Sequence, residues 1–202
     1  MTMAKKYIIL PALSLICLLT SYAQDMMELF PVPEDSVTVQ FSEEEQSFQL
    51  KALDATKRSL ATQKADGDYL LTAFFSHDRN AHGSAEVGLR TSDGTTEYAL
   101  GLNKIGEARV SRIKGKETIQ LADGPKFGYS ILQLERAGDR LLCRGAVAGE
   151  PLQMIAELEV SQGSHDVGLY LTAADSSIAS AWNVRLEFPV ADDYSPSQSG
   201  KP

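Results

Sequence analysis

The feature that most constrains the fold of this chain is the alternation of apolar and polar residues at every second position. The clearest run is 182–188, "WNVRLEF", where Trp182, Val184, Leu186 and Phe188 alternate with polar residues. A repeat of two residues is the repeat of a β-strand with one buried face. The same pattern predicts half-buried strands at 37–41, 47–53, 85–91, 97–103 and 153–159.

Further runs complete a set of about ten predicted strands. Residues 68–75, "DYLLTAFF", are apolar on both faces, which is typical of a central strand. Runs 129–136 and 139–147 meet at Ala137-Gly138, the kind of turn that joins a hairpin, and 165–173 adds another strand. Helical spacing is nearly absent, and single turns near 54–60 and 175–181 are the most that the pattern allows. We therefore predict an all-β, two-sheet antiparallel sandwich.

The N-terminus has the pattern of a secretory signal peptide. Lys5 and Lys6 precede an apolar run at 7–20, and small residues follow at Ser21 and Ala23. We predict cleavage after Ala23, so that residues 1–23 are removed and the mature protein is periplasmic or secreted. Lipidation at Cys17 and retention of residues 1–23 as an uncleaved anchor are the alternatives that this segment leaves open.

The remaining chain divides into three predicted parts. Residues 24–36 form an irregular lead-in, 37–190 the β-sandwich, and 191–202, rich in Ser, Pro and Asp, a disordered tail or linker. The net charge of −8 becomes −10 without the two lysines of 1–23, which argues against nucleic acid as a partner. No apolar run after the signal peptide is long enough for a membrane span.

Several phrases in the sequence, taken in order, resemble a known kind of domain. They are "GDYLLTA" (67–73), "EVGLRTS" (86–92), "LQLERAGDRLLCR" (132–144), "HDVGLYLTAAD" (165–175) and "NVRLEF" (183–188). The order resembles the concanavalin/laminin-G-like jelly-roll domains of exported bacterial proteins, found in Bacteroidetes-type proteins N-terminal to TolB-like propellers. The resemblance implies a jelly-roll, concanavalin-like fold, and its motifs specify fold more than function. The chain departs from it at 55–65, where an aromatic-rich segment is expected and no aromatic is present.

Sequence motifs of catalysis are missing. Jelly-roll glycosidases carry a Glu-x-Asp-x-x-Glu pattern that pairs two carboxylates, and this chain has none. It also has neither a G-x-S-x-G elbow nor an H-E-x-x-H zinc motif. We therefore predict a non-catalytic binding or adaptor module that needs no cofactor and takes a glycan or an envelope protein as partner. The alternatives are a divergent glycoside hydrolase or lyase on this scaffold and a purely structural, oligomerising domain.

The first candidate site is the segment "SHDRNAHG" at 76–83. It supplies the ligand-binding candidates His77, Asp78, Arg79, Asn80 and His82. Two imidazoles and a carboxylate are also possible ligands for a divalent metal. Because Asp, Asn and Gly favour turns, we expect a polar hairpin loop between two neighbouring strands of one sheet, and no metal site.

Aromatic side chains are the second set of candidates, because sugar rings stack on exposed aromatic faces, and the set comprises Tyr98, Phe127, Tyr129 and Tyr170. Tyr98 and Tyr170 are the two chosen. Tyr170 lies on the opposite side of its strand from Leu169 and Leu171, so we expect it to be partly exposed. Trp182 lies on the apolar face of its run and is expected in the core.

Overall fold

The computed structural model describes residues 30, 38–52, 59–78, 80, 84–173 and 176–189. These residues form strands and their connections, without a helix. The strands are β1 Val39–Ser42, β2 Ser47–Ala52, β3 Ser59–Asp66, β4 Tyr69–His77, β5 Glu86–Ser92, β6 Glu97–Asn103, β7 Ala108–Lys114, β8 Glu117–Asp123, β9 Ile131–Ala137, β10 Arg140–Ala146, β11 Gln153–Glu159, β12 Ser164–Thr172 and β13 Ser177–Glu187.

The strands pair into two sheets that face each other. One sheet has seven strands in the order β1-β2-β13-β4-β9-β10-β11, and the other has six in the order β3-β12-β5-β6-β7-β8. Neighbouring strands of both sheets run antiparallel. The prediction of an all-β, two-sheet antiparallel jelly-roll sandwich is confirmed.

The core lies between the sheets and is built from every second residue of the central strands. Leu71 and Leu134 of the seven-stranded sheet and Leu89 and Leu169 of the six-stranded sheet are fully buried there. Burying a side chain of this size contributes about 1.5–3 kcal/mol. Cys143 lies in the same core as a free thiol, and burial raises its pKa to about 12, which makes it a packing residue.

Of two predicted hairpin connections, the structure confirms one and contradicts the other. The hairpin at Ala137-Gly138 is confirmed, since β9 and β10 pair directly across it and Gly138 has a φ of 65°. The connection from β4 to β5 is not a hairpin, because β4 lies in the centre of the seven-stranded sheet and β5 lies in the other sheet. The segment at 76–83 therefore belongs to a crossover between the layers, and the prediction that it joins neighbours in one sheet is wrong.

Three strands of the structure, β3, β7 and β8, were not predicted from the alternation of apolar and polar residues. Neither β3 nor β7 shows a run of large apolar residues, and β8 is an edge strand whose residues are mostly exposed. Such strands form because their backbone pairs with a neighbour, with little help from side-chain alternation. The helical turn allowed at 175–181 is also wrong, because β13 starts at Ser177; at 54–60, residues 59 and 60 belong to β3 and the rest lie outside the described part.

A β-bulge in β13 changes which side chains face the core. The register against β4 shifts between Trp182 and Arg185, and Asn183 in this interval has a φ of 49°. One extra residue reverses the side-chain alternation along a strand. Ala181 and Val184 are therefore both buried, whereas Trp182 faces outward. Phe188 is exposed as well, and it lies beyond the end of β13 at Glu187. The prediction that Trp182 and Phe188 lie in the core is wrong.

Candidate functional site

The described residues of the predicted loop serve local structure. The Asp78 backbone N–H donates to the Ile178 carbonyl at 2.9 Å, and the Asp78 carboxylate accepts the Asn80 N–H at 2.8 Å. Arg79 and His82 lie outside the described residues. An aspartate that accepts an N–H two residues on is an ordinary turn device. Asp78 and Asn80 are accounted for by the turn, and a ligand role for this loop stays a prediction.

His77 links the two sheets. Its Nε2 lies 2.9 Å from the Leu102 carbonyl of β6, which only accepts, so Nε2 carries the proton and donates. Its Nδ1 is buried without a hydrogen-bond partner among the described residues, and burial lowers the pKa of the ring. His77 is therefore a neutral connector between the layers, with one nitrogen already committed to the backbone.

The two tyrosines also occupy structural positions. Tyr98 packs against the core, and its hydroxyl donates to the Glu159 carbonyl of the opposite sheet at 3.2 Å. Tyr170 faces away from the core as expected, but it is 0 % exposed and donates to the Glu86 carboxylate at 2.5 Å. The predicted partial exposure of Tyr170 is wrong, because the ring lies against Gly101, where a Cβ would come within 2.2 Å of its hydroxyl.

The outer face of the seven-stranded sheet carries an aromatic pair, and the sequence pattern had placed one of its two members, Trp182, in the core. Trp182 of β13 lies directly across from Phe74 of β4, and their rings stack with centroids 6.4 Å apart and planes 29° from parallel. Both side chains are partly exposed. The bulge at Asn183 creates this pair, since without it Trp182 would point into the core.

A groove adjoins the aromatic pair. We call it the outer groove; it encloses about 390 Å³ and is lined by Leu70, Thr72, Phe74, Gln133, Asn183, Arg185 and Glu187. This volume falls within the range of about 300–1,000 Å³ that is usual for small-molecule sites. Three adjacent strands, β13, β4 and β9, supply the lining, so the groove is built on paired backbone rather than on loops.

Strand register arranges the outer groove and the adjoining Trp182 in three rows. Trp182 and Phe74 form an apolar row, Arg185 and Thr72 a polar row, and Glu187 lies beside Leu70 in the third. Rows on one face are two residues apart, which places them about 7 Å from one another along the strands. An aromatic surface therefore lies one row away from hydrogen-bonding groups.

The polar row continues across the sheet as a hydrogen-bonded chain. Arg144 donates to the Gln133 side-chain oxygen at 2.9 Å, and the Gln133 amide donates to the Thr72 hydroxyl at 3.2 Å. Arg144 also forms an ion pair with Glu135. These bonds hold the amide and the hydroxyl in fixed orientations, and preorganised groups of this kind lose little entropy when a ligand binds.

Acidic and imidazole side chains of the described residues do not converge on a metal position. Among these residues, no three His, Cys, Asp or Glu side chains lie close enough to share an ion. The same residues contain no helix of the length and apolarity that a membrane crossing requires.

A second polar assembly lies at the end of the sandwich nearest the β12 start. Tyr69 donates to Thr91 at 2.7 Å, Thr91 lies 2.9 Å from His165 Nδ1, and His165 Nε2 lies 3.0 Å from the Ser161 carbonyl. The Ser161 hydroxyl donates to Asp93 at 2.6 Å, and this bond above all lowers the pKa of the carboxyl. In a catalytic triad the imidazole stands between the carboxylate and the serine. Here the carboxylate accepts directly from the serine and does not contact the imidazole, so the arrangement does not activate the serine.

Arg136 connects three turns at the same end of the sandwich. Its buried guanidinium donates to the carbonyls of Gly67, Gly138 and Gly163, one from each of three turns. Carbonyls that would otherwise be orphaned at the end of the sandwich are thus satisfied by one planar donor. This assembly is structural, and it shares no residue with the lining of the outer groove.

Comparison with known proteins supports the fold. No protein-family profile and no curated protein matches the sequence. A protein of unknown function from Saccharomyces cerevisiae has a similar structure, with a TM-score of 0.63 and 8 % identity over 81 % of this chain and 98 % of that one.

Two carbohydrate-active enzymes are also similar in structure. A xylan β-1,4-xylosidase from Bacillus halodurans gives a TM-score of 0.62 at 13 % identity over 78 % of this chain, which spans 35 % of that enzyme. The alginate lyase AlgAT5 of polysaccharide lyase family 7 gives 0.51 at 10 % identity over 78 % of this chain and 85 % of that one. At these identities the likeness concerns the fold alone.

The sequence held one clue to the outer groove. In "AWNVRLEF" an asparagine, a residue that tolerates positive φ, interrupts an otherwise regular strand two positions before Arg185. Read as a bulge, it would have turned Trp182 outward. Gln133 and Arg144 gave no such clue, because polar residues at alternate positions are expected on any exposed face.

Proposed function

We propose that this protein is a non-catalytic, exported glycan-binding module that holds its ligand in the outer groove. The observation that carries the proposal is the stacked pair of Phe74 and Trp182 beside a row of fixed polar groups. Sugar rings present C–H faces to aromatic surfaces and hydroxyls to amides and charged groups, so the aromatic pair and the adjoining polar row match one ligand.

Charge favours neutral glycans over acidic ones. Arg185 and Glu187 both line the groove, and Arg144 is already paired with Glu135. Without residues 1–23 the chain carries a net charge of −10, which repels polyanions at long range. We infer that xylan-type chains bind more tightly than alginate.

The described lining of the outer groove suits ligand binding and not glycoside hydrolysis. Of its described lining residues, Glu187 is the one carboxylate, and acid-base hydrolysis of a glycoside uses two. The resemblance to domains that precede TolB-like propellers fits a module that positions a partner in the cell envelope.

Binding is measured by titrating the chain with xylo-oligosaccharides and following the fluorescence of Trp182, the single tryptophan of the sequence. We expect a saturable change in emission, and about tenfold weaker binding for Phe74→Ala because the stacking surface is halved. Alginate oligosaccharides serve as the charge control. A flat titration with xylan, xyloglucan and alginate probes alike contradicts the proposal, and so does the release of new reducing ends.

A second variant separates binding from folding. Arg185→Gln removes an exposed charge from the groove and leaves the core untouched, so it is expected to weaken binding with an unchanged melting temperature. Arg112→Gln, at an exposed position on the six-stranded sheet, is the matched control and is expected to bind like the unmodified protein. Equal affinities of the two variants would remove Arg185 from the site.

A further inference from the structure

Two large apolar side chains are exposed on adjoining loops at one end of the sandwich. Phe127 is 69 % exposed and Ile105 is 62 % exposed. Their loops are joined by backbone hydrogen bonds, from Gly128 N–H to the Ile105 carbonyl at 3.3 Å and from Tyr129 N–H to the Gly106 carbonyl at 2.9 Å. The aromatic ring is therefore displayed from a cross-braced pair of loops rather than from a free one.

A small cleft lies directly beside Phe127. It encloses about 230 Å³, and the lining residues that matter here are Glu107, Arg109, Asp123, Lys126 and Phe127. Arg109 and Asp123 are paired at 3.4 Å, and both remain about half exposed. The cleft therefore offers donors and acceptors in balanced charge beside an aromatic surface.

The floor of the cleft is closed by close packing. Gly124 and Ala108 line it, and a Cβ at Gly124 would meet the Tyr129 ring at 2.8 Å and Ala108 at 3.0 Å. Tyr129 is 3 % exposed, and its hydroxyl is buried without a hydrogen-bond partner of normal geometry among the described residues. The Tyr129 ring therefore supports the floor from within, and its buried hydroxyl is not among the groups that line the cleft.

We propose that this cleft is a second glycan site, which takes a single sugar unit on Phe127. The choice of a glycan as ligand rests on the proposed function. The location does not, because the cleft and the outer groove share no lining residue. Its volume is below the range of about 300–1,000 Å³ usual for larger ligands, which fits one ring. The Arg109–Asp123 pair offers the sugar hydroxyls a donor and an acceptor.

The test uses the single tryptophan as a movable reporter in the full chain. In a Trp182→Phe/Phe127→Trp variant, the cleft reporter, emission comes from the cleft alone, and titration with xylo-oligosaccharides is expected to give a saturable change. Adding Asp123→Ala should weaken that binding about tenfold, the loss expected when a charged hydrogen-bond acceptor is removed. A Trp182→Phe/Leu121→Trp variant, the strand reporter, places the indole on an exposed position of β8 and controls for nonspecific quenching.

The outcomes separate the two sites. A response from the cleft reporter that Asp123→Ala weakens supports the cleft, whatever the outer groove does. A response from Trp182 in the unmodified protein with a flat titration of the cleft reporter overturns the cleft and leaves the proposed function standing. Flat titrations of both Trp182 and the cleft reporter overturn both sites, and equal responses from the cleft reporter and the strand reporter overturn the cleft as a specific site.

Discussion

At the scale of single residues, backbone carbonyls decide the state of the two described histidines. His77 Nε2 meets the Leu102 carbonyl and His165 Nε2 meets the Ser161 carbonyl, so both rings carry their proton on Nε2. Protonating His165 would place a second N–H against Thr91, whose hydroxyl already accepts from Tyr69. The folded protein therefore prefers neutral imidazole at both positions.

Stability is expected to fall in mild acid for this reason. Burial first, and then the nearby charge of Arg136, lower the pKa of His165 from its usual 6.5. The unfolded chain thus binds more protons, so the free energy of unfolding decreases as the pH falls below about 6.5 toward the lowered folded value, by at most about 1.4 kcal/mol per pH unit for each histidine.

Urea unfolding between pH 7.5 and 5 measures this effect. His165→Gln keeps one donor and one acceptor but cannot titrate, so its stability should depend less steeply on pH over this interval. His77→Gln serves as the companion variant, because burial also lowers the pKa of His77. An unchanged slope in His165→Gln would show that His165 is not the group responsible.

At the scale of elements, one bulge in β13 decides where the outer groove lies. Ser177, Ala179 and Ala181 face the core before it, and Val184 and Leu186 face the core after it. The strand therefore keeps a buried face along its whole length while it releases Trp182 to the surface. Asn183 makes this possible because asparagine tolerates the left-handed backbone better than a branched residue does.

Asn183→Val is accordingly expected to destabilise the protein by about 1–2 kcal/mol, the cost of a left-handed backbone for a side chain with a branched Cβ. Asn183→Gly is the matched control and should retain the fold. Chemical denaturation gives the stabilities, and Trp182 emission reports whether the aromatic pair survives. Equal stability of the valine and glycine variants would contradict the role assigned to this backbone position.

At the scale of the whole molecule, the outer faces of the two sheets differ in how far their side chains project. On the six-stranded sheet, Gly88 and Gly101 lie side by side in paired strands and Tyr170 covers Gly101. At Gly88 a Cβ would meet the Leu100 carbonyl at 2.1 Å, so side chains are excluded there. Long side chains project from the seven-stranded sheet instead, and the outer groove forms between them.

Export is the prediction that belongs to the whole chain. We expect the full-length protein, expressed in a Gram-negative host, to be processed after Ala23 and recovered outside the cytoplasm with Gln24 at its N-terminus. Intact-mass measurement distinguishes this product from the unprocessed chain. Ala23→Tyr places a bulky residue where signal peptidase requires a small one and should block cleavage; an unmodified protein that keeps residues 1–23 would contradict the prediction.

The sequence by itself determined the class of fold and the strands that build the core. Alternating runs such as 97–103 and the hairpin at Ala137-Gly138 are local patterns, and local patterns survive in a single sequence. Strands without large apolar residues, such as β3 and β8, needed their neighbours, because backbone pairing holds them in the sheet.

Only the tertiary structure decided the candidate sites. Alternation predicted an exposed Tyr170 and a buried Trp182, and the structure shows the opposite. Tyr170 is buried because Gly101, two strands away in the same sheet, leaves room for its ring. Trp182 is exposed because a one-residue bulge turns it outward. The row from Thr72 through Gln133 to Arg144 joins residues 61 and 11 positions apart. A groove of this kind is a property of strand register, which depends on the pairing of distant segments and not on any one of them.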